Sequence, residues 1–188
     1  FFEQALARNP QAGWYALQLA HCLALLREFE RGEVVARRAV ALQEELFSGQ
    51  EGVVIVGAHM RHGHLAALQG RPAEALEHFE RELAFLQRVD HALRGRILIE
   101  LYLRLGSARL GLGQAERAEA AFALALDAYR QRLRLGTDDP FTRYYAACVH
   151  ARRGEAGAAL EALEQSARQA KAFTVERARI EPELEGLA

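Results

Sequence analysis

Lysine and asparagine are almost missing from this sequence of 188 residues, each occurring once, as Lys171 and Asn9. Nearly all the positive charge is therefore arginine, as suits a GC-rich bacterial genome. With a formal net charge of −1, nothing draws the chain as a whole to nucleic acid or to an anionic membrane surface. Cysteine occurs only at Cys22 and Cys148, which would fall in different repeats of a repeat array, so a disulfide framework is not expected, which fits a reducing compartment. No apolar run approaches the roughly 18 residues that span a bilayer, and no signal-peptide pattern is visible. A cytoplasmic location is expected. The glycine-rich phosphate loop, the nucleotide fingerprint and paired carboxylates after a strand are also absent. No enzyme activity and no cofactor are expected.

What is present is a recurring pattern of small and aromatic residues. It reads Gly32-Ala36-Ala39, Ala75-Phe79-Glu82, Ala118-Phe122-Ala125 and Ala159-Leu163-Ser166, with steps of 43, 43 and 41 residues. A period of this length marks a solenoid of stacked units. Between these positions apolar residues recur at helical spacing, as at Trp14, Leu17, Leu19, Leu23 and Leu26, and no strand-like alternation competes. Turn signals divide the helices: the polar run 27–31, Gly70-Arg71-Pro72, Gly113-Gln114 and Gly154-Glu155. Thr137, Asp138 and Asp139 are suited to cap a helix start, and Glu33 with Arg37 has the spacing of an exposed ion pair. Gly63 and Gly106 lie where the first helix of a hairpin meets the second, so close backbone approach is expected there.

These residues resemble the tetratricopeptide repeat (TPR). The third hairpin carries the resemblance best, with Tyr102, Leu105-Gly106, Gly113, Ala118, Phe122 and Ala125. Phe2, Ala5 and Asn9-Pro10 resemble the end of a preceding repeat, so the chain reads as beginning within one. The step from Ala5 to Ala39 is the family's usual 34. The later steps are nine residues longer, about 13 Å of extra helix, and resemble the family's longer repeats. His62 and Glu82 depart from the pattern, where leucine and a small residue are usual.

The resemblance implies an all-α fold, a right-handed α-solenoid or superhelix of antiparallel helical hairpins spanning residues 1–188. Its parts are the second helix of a truncated repeat (1–10), repeats at 11–48, 51–89, 91–135 and 139–172, and a capping segment at 173–188 of the kind that closes bacterial arrays. Ile180, Leu184 and Leu187 are the apolar residues expected to cover the last hairpin.

Function is sought on the concave surface, which in this family is lined by first helices. The resemblance implies a groove of Leu17, Gln18 and His21, then Met60, Arg61 and His64, then Leu103, Arg104 and Ser107, then Tyr144, Tyr145 and Cys148. Arg61 and Arg104 are one period apart and should stack as a basic patch suited to an acidic or C-terminal peptide. A row of solvated arginines is the equal rival reading. The implied activity is that of a non-enzymatic scaffold or adaptor for a protein or peptide. The alternatives are a regulatory or sensory module of a larger signalling protein, or a self-assembly module pairing through its ends. The chaperone-type carboxylate clamp needs two asparagines, and the sole Asn9 lies in a turn. His59, His62 and His64 invite a metal reading, but His64 is rotated away and no cysteine completes a tetrahedral set. Packing histidines are expected, with His59 and His62 the weak metal candidates. Cys22 beside His21, and Cys148 near His150, point in different directions and read as small buried residues rather than nucleophiles.

Overall fold

The computed structural model describes residues 1–48 and 54–187, and for Ser48 the backbone alone. The expected start of the second repeat, 51–53, lies outside the described residues. The chain divides into two compact units, residues 1–94 and 95–188. The first holds α1 (Phe2–Arg8), α2 (Gly13–Leu25), α3 (Phe29–Ser48), α4 (Ala58–Leu68) and α5 (Pro72–Arg88). The second holds α6 (Arg94–Gly111, its first residue at the boundary), α7 (Ala115–Arg134), α8 (Pro140–Arg152), α9 (Ala156–Ala178) and a 3-10 helix (Pro182–Leu187). No strand occurs among the described residues. The fold is all-α, built of consecutive helical hairpins, as a helical solenoid is. No helix is long and apolar enough to cross a membrane, among the described residues.

The hairpins close through one turn chemistry. In α4–α5 the chain leaves the first helix through Gly70 at φ +73°, and the amide of Arg71 reaches back to the Ala66 carbonyl at 3.0 Å. This left-handed residue satisfies carbonyls that the helix end leaves unpaired. Gly113 and Gly154 repeat it, with Gln114 bonded to Arg109 and Glu155 to His150. In α2–α3 the same place is held by Arg27 at φ +57°, with Glu28 bonded to Leu23 at 2.9 Å. Pro72 then opens α5 within its first turn, where a missing N–H costs nothing. Of the three residues suited to cap α8, Asp139 does so, accepting from the Thr142 amide at 2.9 Å.

The recurring small residues sit at the helix crossings. Ala36, Ala39, Ala75, Ala118, Ala125 and Ala159 are fully buried, with Phe79 and Phe122 between them. A Cβ on Gly63 would lie 2.7 Å from the Phe79 ring and 2.9 Å from the Ala75 carbonyl oxygen, and one on Gly106 would lie 2.3 Å from the Phe122 ring. Those aromatics therefore occupy space that only glycine leaves, which offsets the roughly 1 kcal/mol that glycine costs a helix.

The last hairpin departs from expectation at its end. α9 runs past 172 to Ala178, with a non-helical kink at Ala170 (φ −147°, ψ 71°). Thr174 donates to the Ala170 carbonyl and meets Ser166 at 2.7 Å, while Ser166 donates to the Pro140 carbonyl. Beyond it Leu184 is buried in the core of the second unit with Tyr144, Leu103 and Phe122, and Leu187 packs at its edge. Ile180 is half exposed, so the covering role expected of it falls to Leu184.

Candidate functional site

Glu82, the residue that breaks the small-residue pattern, has a structural task. Its carboxylate, fully buried on α5, accepts from the amides of Gly57 (2.7 Å) and His59 (3.0 Å), with Met60 at 3.4 Å. Gln43 on α3 donates to it at 3.3 Å and accepts from the Ala58 amide at 2.9 Å. α4 begins after Gly57 without a capping side chain of its own. Glu82 and Gln43 supply that cap from two neighbouring helices, satisfying the amides a helix start leaves open. Burial pushes the Glu82 carboxyl above its ordinary value, and these N–H groups pull the other way. α3, α4 and α5 are therefore tied together at this point.

One turn along the same helices, polar groups collect. His62 on α4 and His78 on α5 stack at 4.0 Å between ring centroids, because Gly63 and Phe79, each the next residue along, are in contact. The Nδ1 atoms of His59 and His78 are 3.2 Å apart. His62 Nε2 meets Glu33 on α3 at 2.9 Å, and His59 Nε2 lies 3.4 Å from the exposed Glu44. Arg71 pairs with both Glu33 and Glu74. Burial would raise the Glu33 carboxyl, but bonds from Arg71 and His62 outweigh it and hold it at about 2. Burial, reinforced by the neighbouring His62 and His59, holds His78 down to about 4, and burial lowers His59 as well. Donor atoms of His62, Glu74 and His78 lie within 4.8 Å of one another, the one such trio among the described residues. Glu33 is thus half-buried in a network, with Arg37 a distant member at 3.6 Å, and not the exposed helix pair its spacing suggested.

The sequence points to His59 and His62 but not to Glu74 or His78. His59 and His62 share one face of α4, whereas the grouping runs across the hairpin to α5. The Glu74–His78 spacing of four residues, which puts both on one face of α5, is the signal that could have found it.

The expected groove residues divide by burial. Leu17, Met60, His64, Leu103, Tyr144, Tyr145 and Cys148 are buried, and Gln18, His21, Arg61 and Ser107 are half-buried. Leu17 belongs to the α2–α3 core with Ala16, Ala39 and Leu42. Leu103, Tyr144, Tyr145 and Cys148 belong to the core of the second unit, and burial pushes the Cys148 thiol well up, away from reactivity. His21 on α2 faces His64 on α4 at 6.2 Å between ring centroids. Gln18 and Arg61, each three residues earlier, share those faces.

Arg104 is 2 % exposed, so it is not a solvated groove arginine. Its Nη1 donates to Glu181 at 2.8 Å and lies 2.6 Å from Glu183, and Nη2 lies 3.7 Å from Glu100. Glu181 also accepts from Arg177 at 3.2 Å and from the Tyr144 hydroxyl at 3.4 Å. The chain's own acidic stretch, Glu181-Pro182-Glu183-Leu184, thus lies against α6 and α8 with its carboxyl groups on arginines and Leu184 in the core. Two guanidinium groups here face three carboxyls. Burial and the adjoining Glu181 push Glu183 up to about 7, against the pull of Arg104, while Arg104 overcomes burial to hold Glu181 well below the usual range. Sequence periodicity cannot reveal this partner, because the stretch lies 77 residues from Arg104 and belongs to no repeat.

No family model and no curated protein matches the chain. Among solved structures it is similar to YrrB, described as a TPR protein with an unusual peptide-binding site, at 17% identity over 99% of this chain and 88% of that one, with a TM-score of 0.45.

Proposed function

We propose that the chain is a non-enzymatic, TPR-like interaction scaffold that binds an acidic peptide or protein segment. The observation that supports this is how the chain accommodates an acidic stretch of its own. Carboxylates are received by arginine on a first helix, and a neighbouring leucine enters the apolar floor. An external segment would use the corresponding side of the first unit, where α2 and α4 present Gln18, His21 and Arg61. Leu17, Met60 and His64 are buried on the same two helices, and Leu17 packs into the α2–α3 core. Arg61 is the anchor, since a guanidinium can make two parallel hydrogen bonds to one carboxylate.

The test is fluorescence anisotropy of a labelled acidic peptide of Glu-Pro-Glu-Leu type with the full chain. Saturable binding that weakens with salt is expected, with a loss of at least about tenfold in Arg61→Glu, as for one charge-assisted pair worth about 1.5–3 kcal/mol. No binding up to millimolar peptide, or equal binding by the variant, would overturn the reading. Arg104→Glu is unsuitable as a probe, because it would bury a fourth carboxyl group among the three already there.

A further inference from the structure

We propose that His62, Glu74 and His78 form a binding site for a divalent transition-metal ion at the junction of α3, α4 and α5. The site is independent of peptide binding. Its donors are two imidazole nitrogens and one carboxylate oxygen, a set suited to Zn2+, Ni2+ or Cu2+ rather than to Ca2+ or Mg2+. They lie within 4.8 Å of one another, against about 3.4 Å between ligands of a tetrahedral ion with bonds of about 2.1 Å. Glu74 is only half-buried, so rotation of its long side chain brings the carboxylate toward the imidazoles without moving a helix.

Hydrogen bonding prepares both imidazoles. His62 is 7 % exposed and donates Nε2–H to Glu33, which leaves the lone pair on Nδ1. That Nδ1 is buried and has no hydrogen-bond partner among the described residues, so its lone pair is available to an ion. In the second chain of bonds, Glu44 accepts from His59 Nε2, so His59 Nδ1 is the acceptor for His78 Nδ1–H. The lone pair of His78 is then on Nε2. Each ligand imidazole is therefore oriented by a group behind it, Glu33 for His62 and His59 for His78. Such outer partners fix the tautomer and raise the basicity of metal-binding histidines.

Charge completes the argument. Glu33 and Glu74 share Arg71, so when Glu74 turns to the ion, Arg71 keeps Glu33 as partner and no buried charge is stranded. Three protein ligands leave a fourth tetrahedral position for water.

The test is isothermal titration of the full chain, freed of metal, with Zn2+. One ion per chain is expected, with affinity weakened at least tenfold in His78→Gln and in Glu74→Gln, and unchanged in His91→Gln, which alters an exposed histidine outside the group. Co2+ should give visible absorption in the wild type that is lost in His78→Gln. Both ligand substitutions are at half-buried positions, and melting curves without metal check that the variants fold. No saturable Zn2+ binding by the wild type, or wild-type affinity in both ligand variants, would overturn the site.

Discussion

Arg27 does with a side chain what Gly70, Gly113 and Gly154 do without one. At φ +57° its Cβ crowds the following carbonyl, at a cost of about 1–2 kcal/mol. The turn is retained because Glu28 and Leu23 close it as in the other hairpins. Arg27→Gly should relieve that strain while making the unfolded chain more flexible, for a net gain of about 0.5–1 kcal/mol. Urea unfolding monitored by circular dichroism measures this, and a lower midpoint would mean that the arginine side chain outweighs its backbone strain. The glycine turns are legible in the sequence because glycine announces a left-handed residue. Arg27 is not, since nothing in an arginine signals positive φ and only the closure of α2 onto α3 imposes it.

At the scale of elements, α4 is held by groups that belong to other helices. Its first amides point at Glu82 and Gln43, so the helix start depends on α3 and α5 being docked. Glu82→Ala would leave buried donors without acceptors and should cost about 3 kcal/mol, the range for unsatisfied buried groups. Glu82→Gln, which keeps one carbonyl acceptor, should cost less. Thermal unfolding of the two variants ranks them, and equal losses would show that packing volume rather than hydrogen bonding is at stake. The repeat pattern marks this position as an exception but cannot say why, because the amides it serves lie 22–25 residues earlier. The His62–His78 stack is hidden for a similar reason: it depends on which residues of α4 and α5 meet, and Gly63 against Phe79 decides that register.

For the molecule as a whole, the measurable consequence of its buried charges is a pH dependence. Glu183 has a folded-state pKa raised from 4.5 to about 7. Its contribution to stability is therefore complete below pH 4.5 and is lost as pH rises through 7. Glu181 has the opposite sign, its contribution being present above 4.5 and lost on acidification. Glu183→Gln, which keeps a hydrogen-bond donor toward Glu181 without a titrating proton, should melt like the wild type near pH 4.5 and several degrees higher at pH 8. For a chain of this size 1 kcal/mol corresponds to about 2–4 °C. Calorimetric scans from pH 4.5 to 8 check this, and a variant less stable at pH 8 would mean that Arg104 keeps Glu183 ionised.

The period, the alanine and glycine crossings and the turn glycines belong to the sequence itself, since each is a local or regularly spaced consequence of helices packing side by side. From them follow an all-α fold and the close approach of Gly63 to Phe79 and of Gly106 to Phe122. Tertiary structure alone decided which polar groups meet. It set Arg104 against Glu181 and Glu183, Glu82 against the start of α4, and His62 beside His78 and Glu74. Those pairings join residues that obey no common period, so they exist only once the hairpins have closed and burial has forced each charge to find a partner.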